Sequence, residues 1–549
     1  MPESAIARPP WRRASIAGVA LFSTLLTACS GSSASPATQA DAPKLTSTAG
    51  KAAGEVGTVT WNLTAGEPDT LDPPNAATYS GGQVVMNLCD TLVRYDADYN
   101  MSPGLADYKQ ESPTKLVYTL RAGARFWDGK PVTVDDIVYS LQRAKKDSIV
   151  SSFFASVASI EATSDKQVTV TFSTPDQKFN TEMTDIAGVI YEKAFAEKAG
   201  KNLGTSAGGL MCSGPFKLDG WASGDSITMS RNESYWDTSR KPLAKQVKFT
   251  FVTDATNLTQ ALESGDIDGA YQIPPAAIPA LQKAATGKIY FGPSTEGVSL
   301  MVANPGGVTA DTNFMNGLQR IIDREALVKA IYHGAAEPLY TAVTPRTWPT
   351  DQTAAYQQAY QQFVTSRSYD LAAAKEQIGK SAYKGESLVL AYASGDPTTN
   401  QLAQLIQQQA GQAGVTVKLQ SMGSLAFSQA NYDASKRKDI DLLLGASFNS
   451  VADPLEPLLF EFLPGSPYNY TGHNDKELIQ KLNQAAATFD DTERAKLLIE
   501  AQPLWEKANT LVPLVSSNTV TFLNKRLAGA VTSFAYWSMP NMAFVGSAS

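Results

Sequence analysis

"RFWDGKPVTVDDIVYSLQR", Arg125–Arg143, carries two readings, and the choice between them decides what kind of molecule this is. An aromatic pair, an Asp-Gly turn and the adjacent acids Asp135 and Asp136 give it the look of a catalytic loop. Each acid has a structural job, however. Asp128-Gly129 supplies the positive φ of a tight reversal. Thr133 stands three residues before Asp136, the spacing of a capping box with Asp in place of Glu or Gln. Asp135 and Asp136 fall in the first turn of the helix so begun, where the helix dipole favours negative charge. Ile137, Val138 and Leu141 line one face of that helix. Just upstream, "KLVYTLRAG" alternates as a strand, with Leu116, Tyr118 and Leu120 on one side. The stretch reads as a strand–turn–helix joint in a scaffold.

The same alternation recurs outward from this joint. "TVTWNL" (Thr58–Leu63), "KQVTVTFSTP" and "QVKFTFVTD" read as strands. "EPDTLDPPNAATYSGG" is loop by its Pro, Gly and Asn content. "GQVVMNLCDTLVRYD" (residues 82–96) reads as a helix with Val84, Val85, Leu88 and Leu92 on one face. "CSGPFKLDGWASGDSITMSRNESYW" is strand, Gly turn, strand. "ATNLTQALESGDIDGAYQI" is a helix stopped by Gly265. "NFMNGLQRIIDREALVKAIYHG" is a helix pair in which Asp323 caps the second member and Gly334 ends it. "ESLVLAYAS", "TNQLAQLIQQQAGQAG" and "VTVKLQS" form a β-α-β unit with parallel strands. "DLLLGASF" is a further buried strand, and two helices follow, "DKELIQKLNQAAATF" and "DTERAKLLIEAQPLWEKA". The fold class is α/β, without internal repeats.

The chain of 549 residues exceeds one hydrophobic core, so two or three lobes are expected. A net charge of −7 argues against nucleic-acid binding, which needs a basic footprint. "MPESAIARPPWRR", the short apolar run "ASIAGVALFSTLL" and "LTAC" have the order of a secretory signal. Ending at Cys29, the signal resembles a bacterial lipobox, whose Cys becomes a lipidated first residue; the alternative is an ordinary signal with an incidental Cys. "SGSSASPATQADAP" follows as a low-complexity tether. Two cysteines remain, Cys89 and Cys212. In an oxidising compartment the pair suggests a disulfide, and two buried free thiols are the alternative. No Cys/His cluster points to a metal, and no cofactor is expected.

Five blocks in order now carry a resemblance. They are "TLDPPNAATYSGGQVVMNLCDTLVRYD", "LVYTLRAGARFWDGKPVTVDDIVYSLQR", "CSGPFKLDGW…ITMSRNESYW", "ALESGDIDGA" and "NGLQRIIDREALVKAIYHGAAEPLYTAVTP". Together they resemble family 5 extracellular solute-binding proteins, the oligopeptide-, dipeptide- and nickel-binding components of ABC importers. The resemblance implies a two-lobed periplasmic-binding-protein type II fold with a hinge and an extra subdomain on the N-terminal side. The implied organisation is signal peptide 1–28, tether 29–55, lobe I from 56–95, 212–300 and 515–549, subdomain 96–211, and lobe II 301–514. It also implies an extracytoplasmic monomer, lipid-anchored to the cell membrane, that hands a short peptide to permease subunits driven by ATPase subunits.

The ligand of such a protein lies in the cleft between two segments. Carried over, one is the loop after "LDP", with Ala77, Thr78, Tyr79 and Ser80. The other is "LGASFNSVADP", with Ala446, Ser447, Phe448, Asn449 and Asp453. The family pattern there is roughly "GWxxDYxDP", and its first Asp, partner of a peptide's ammonium, is replaced by Ser450. A buried ammonium needs some other acid; Asp453 and Glu456 are nearest in sequence. In "TPRTWPT" (residues 344–350), Arg346 is a candidate for a ligand carboxylate, with Trp348 beside it. Most of Trp221, Tyr235, Trp236, Tyr468, Tyr470, Tyr536 and Trp537 read as packing. Two other classes stay open. A non-peptide solute (oligosaccharide, chelated metal or haem) fits the missing acid. An exported hydrolase lacks support: the only histidines are His333 and His473, with neither HExxH nor GxSxG.

Overall fold

The computed structural model describes residues 43–466 and 468–549. The expected signal segment, Cys29 and the expected tether up to residue 42 lie outside the described residues. Two mixed sheets organise the rest. The first holds seven strands in the spatial order Gly287–Gly292, Thr519–Asn524, Gly269–Ala270, Val56–Asn62, Ala244–Thr250, Ser226–Arg231 and Phe216–Ala222. The second holds six, in the order Ala336–Pro338, Leu511–Ser517, Glu296–Val302, Leu442–Phe448, Leu388–Ala393 and Val417–Met422. A four-stranded antiparallel sheet, Ala106–Ser112, Lys115–Leu120, Gln167–Phe172 and Val157–Ala162, lies within the segment expected to be a subdomain.

The chain passes between the two large sheets at residues 293–295 and again at Asn518. These crossings differ by a few residues from the expected lobe limits at 300 and 514. The reason is pairing: Glu296–Val302 and Leu511–Ser517 are hydrogen-bonded to each other, so both belong to the second sheet. The expected tether is also shorter. Within 43–55, Leu45 bridges Phe291, Thr48 bridges Val531 and Gly54 bridges Ser547, and Ala49 is buried. That stretch pairs part of its backbone with Phe291 of the first sheet and with residues 530–547 near the C-terminus.

The joint at Arg125–Arg143 forms as its residues dictate. Gly129 takes φ +90°, and the helix runs Val134–Lys146. The Thr133 N–H donates to Asp136 at 2.9 Å, and the Asp136 N–H donates to the Thr133 hydroxyl at 3.3 Å. Asp136 also accepts the Lys193 N–H, so it ties the helix to the start of the helix Lys193–Ala199. The β-α-β unit is present, with Leu388–Ala393 parallel to Val417–Met422 around the helix Pro397–Gln412.

The helix expected over residues 82–96 is instead Tyr79–Leu88. Thr78 caps it by accepting the Gly81 N–H at 3.1 Å. Two glycines sit in its first turn for a packing reason: a Cβ at Gly82 would come within 2.4 Å of the Trp537 ring. The helix stops where Cys89 turns extended and forms a disulfide with Cys212, and Val93–Tyr95 is a short strand. Beside it Asp90 accepts from Tyr235 Oη (2.7 Å), Trp236 Nε1 (2.8 Å), Ser213 Oγ (3.1 Å) and Arg94 (3.0 Å). The "NESYW" aromatics thus serve a buried carboxylate.

Lobe II is gathered around Arg324, whose side chain is fully buried. Asp323 caps the short helix that begins with it. The guanidinium donates to the carbonyls of Leu339 (2.9 Å), Pro513 (2.7 Å), Gln319 (2.9 Å) and Arg367 (3.1 Å), and lies over the Tyr340 ring. Burial without a carboxylate in contact lowers its pKa to about 10. Arg324→Met keeps the length and removes every donor, so these four carbonyls lose the guanidinium. We expect a loss of about 3 kcal/mol or more, read as a lower calorimetric melting temperature; an unchanged melt would show that the carbonyls find other partners.

Candidate functional site

The strand Leu442–Phe448 changes surroundings half-way. Leu442, Leu443 and Leu444 are buried, whereas Ala446 and Ser447 are exposed. Its pairing changes at the same point. Along its whole length it is antiparallel to Glu296–Val302. On the other edge only Leu442–Leu444 are paired, with Leu390–Tyr392. From Gly445 on, that edge has no strand beside it among the described residues, and it forms part of the wall of a cleft of about 2070 Å³.

The wall of the cleft includes the edge at 445–450, segments around 148–156 and 174–186 flanking the four-stranded sheet, the helices and loops of 456–487, and single contributions such as Ala77, Tyr432 and Trp537. Its charged lining comprises Asp176, Glu182, Asp185, Glu456 and Glu461 against Lys178 and Lys476. Glu456 accepts from the Ser450 hydroxyl at 3.0 Å and is buried. Burial pushes its carboxyl up to about 8, against the pull of the Ser450 hydroxyl and the Val451 N–H. Burial likewise lifts Asp185 to about 7, opposed by the Ile186 N–H and the Ser450 hydroxyl. Glu182 is driven well above the usual carboxylate range by burial, although Lys178 is bonded to it. A row of rings belongs to the same lining: Phe153 to Phe460 at 6.1 Å, Phe460 to Tyr468 at 5.9 Å, Tyr468 to Tyr432 at 5.8 Å.

Residues 100–468 match the family model described as bacterial extracellular solute-binding proteins, family 5, middle. The chain belongs to that family. It is 26% identical over 487 residues to the glutathione-binding protein GsiB of Salmonella typhimurium, covering 86% of this chain and 91% of the relative. Among solved structures it is similar to DppA from Helicobacter pylori in complex with peptide STSA (TM-score 0.77, 18% identity, 90% of this chain and 99% of that one). It is also similar to the oligopeptide-binding protein AppA from Bacillus subtilis in complex with a nonapeptide (TM-score 0.75, 18% identity, 90% of this chain and 100% of that one). These neighbours share its two-lobed type II fold.

Against the family pattern, the carried-over residues divide. Ala77, Ala446, Ser447, Phe448, Asn449 and Ser450 line the cleft. Thr78 and Ser80 do not. Thr78 is spent on its helix cap, and its carbonyl accepts the Trp537 indole N–H at 3.3 Å; Ser80 is buried in the helix. Tyr79 is half-buried between Phe448 and Phe534, and its hydroxyl donates to Glu296 at 2.6 Å. That bond runs from the start of the helix Tyr79–Leu88 to the first residue of the second sheet after the crossing.

Three expectations are corrected. Arg346 pairs with Glu337 at 2.7 Å and is absent from the cleft lining. Trp348 is buried between Tyr356 and Tyr360, because an indole beside two phenol rings gains more by packing than by facing water. Asp453 gives both oxygens to Arg494 at 2.6 and 2.7 Å, and that buried pair leaves it no role at the cleft. Of the two acids near Ser450, only Glu456 reaches the cleft lining. Sequence reasoning missed Asp185 and Glu182 altogether. They come from the subdomain loop, about 270 residues away from Ser450 in the chain, and no spacing rule connects the two. Of the aromatic residues read as packing, Trp537, Tyr468 and Tyr470 line the cleft.

The raised carboxyl groups make stability depend on pH. Glu456 holds a proton when folded up to about pH 8, whereas unfolded it releases it near 4.5. Its contribution is therefore full below the unfolded value and is lost as pH rises through the folded one. For ligand-stripped protein we expect the melting temperature to fall between about pH 5 and pH 8, and Glu456→Gln to flatten that fall. An identical slope in the variant would assign the dependence to other groups.

Proposed function

We propose that this chain is the extracytoplasmic solute-binding component of an ABC importer, lipid-anchored through Cys29, and that its cargo is a short peptide or a similarly extended, peptide-like solute. The observation that carries the reading is the strand edge open to the cleft at residues 445–449. An extended peptide can add to such an edge. Main-chain hydrogen bonds then supply affinity independent of side chains, and the remaining volume accommodates varied side chains. The cleft's size agrees: it is about twice the upper end of pockets for drug-sized ligands, ~300–1,000 Å³. Both solved neighbours named above are in complex with peptides, which supports the same class here.

In this reading Phe448 and Asn449 flank the ligand from lobe II, and Ala77 and Trp537 from lobe I. Tyr79 acts behind them, through Glu296, on the crossing between sheets. Two-lobed closure needs only a few kcal/mol of differential affinity to shift from open to closed. The lipid holds the domain at the membrane, where two permease subunits receive the cargo and cytoplasmic ATPase subunits supply the energy.

Mass spectrometry of whatever copurifies from a peptide-rich medium is the direct test, and short peptides are the expected finding. In calorimetry, tetra-alanine is expected to bind, and methylating its amide nitrogens to weaken binding up to about ten-fold for each hydrogen bond lost. Oligosaccharides that bind where no peptide does would overturn the assignment. Cys29→Ser is expected to release the protein from the membrane fraction into the soluble one; retention in the membrane would exclude lipid as the anchor.

A further inference from the structure

We propose that Asp185, Glu456 and Glu182 form a cation subsite on the floor of the cleft, and that it makes the protein selective for solutes with more positive than negative charge. This deepens the peptide reading and rests on it. The residue that the family pattern assigns to an ammonium is Ser450 here, so the subsite is built differently: one acid comes from lobe II and two from the subdomain loop.

Three independent observations point to a ligand there. The first is an orphaned atom. Glu182 is 1% exposed, and its Oε2 has no hydrogen-bond partner, although its Oε1 takes the Lys178 ammonium. A buried carboxylate oxygen left unpaired is costly, and this residue belongs to the cleft lining. The second is the charge inventory. Of the seven charged residues in the lining, five are acids and two are lysines, and none is arginine. Lys178 is already committed to Glu182, which leaves Lys476 alone to meet an anion. Neither Asp185 nor Glu456 has an ion-pair partner among the described residues. The third is the ring row. Tyr432 is 61% exposed and Tyr468 is 38% exposed, both in the cleft lining. Exposed aromatic faces in a cleft that also holds acids suit an ammonium or guanidinium, which gains from the ring quadrupole as well as from carboxylates.

The consequence concerns cargo class. Glutathione carries two carboxylates and one ammonium, and this cleft offers a single uncommitted lysine for the two carboxylates. Similarity to a glutathione-binding relative therefore does not transfer its ligand. Basic peptides suit this lining, and the carboxyl groups that burial keeps protonated would ionise against a bound cation.

The test is calorimetry on the full mature domain with Lys-Ala-Lys, Ala-Ala-Ala, Glu-Ala-Glu, glutathione and spermidine. We expect Lys-Ala-Lys to bind at least about ten-fold more tightly than Ala-Ala-Ala, with Glu-Ala-Glu and glutathione weakest. Glu456→Gln and Asp185→Asn should each shrink the gap between Lys-Ala-Lys and Ala-Ala-Ala. Both are near-isosteric, and a melting curve confirms folding; the peptide series on the unaltered protein stands even if they misfold. Equal affinity across charges, or preference for Glu-Ala-Glu, would overturn the cation subsite while leaving the peptide reading intact. Spermidine binding without any peptide would uphold the subsite and remove the peptide reading. No binding by any of the five would overturn both.

Discussion

A β-strand obliges its neighbours to satisfy its backbone, and Leu442–Phe448 meets that obligation on one side only beyond Leu444. Buried main-chain groups without partners are rare in folded proteins, so an open edge is tolerated only where water or a ligand reaches it. The cleft follows from this. The sheet ends its second pairing at Leu444, the three leucines stay in the core, and Ala446 and Ser447 face outward. The antiparallel pairing to Glu296–Val302 holds that outward half rigid while its other edge is free. The same strand Glu296–Val302 begins at the crossing from the first sheet, so the cleft wall and the joint between the sheets share one element.

The scaffold was legible because it is local. A capping box at Thr133 and Asp136, a Gly turn, alternating apolar residues and the β-α-β unit each rest on spacings of a few residues, and each formed as read. The disagreements arise where distant contacts override local pattern. Tyr79-Ser80-Gly81-Gly82 reads as loop, yet is helix: Thr78 caps it, and the missing side chain of Gly82 leaves room for the Trp537 ring. Residues 43–55 read as linker, yet bridge strand and loop residues from the other end of the chain.

The cleft was legible only in part, and the division has a physical basis. Main-chain positions carry over through a resemblance, since the strand that supplies them keeps its place; Ala446–Asn449 lie in the cleft wall accordingly. Side-chain roles do not carry over so simply, because each depends on which partner arrives first. Asp453 is claimed by Arg494, Arg346 by Glu337 and Trp348 by two tyrosines. The acids that do reach the cleft belong to a loop far away in sequence, so no reading of spacing brings Asp185 beside Glu456. The substitution at Ser450 is best understood in that company: its hydroxyl donates to Glu456, so the acid stands one residue contact further back than the family pattern has it.

The disulfide between Cys89 and Cys212 closes a loop of chain that contains the whole four-stranded sheet. That inserted segment is therefore stapled at its base, like a pendant on a ring. A single cut of the backbone anywhere between the two cysteines leaves one covalent molecule. The severed ends stay tethered, and the damaged segment can re-dock on the body that it never left.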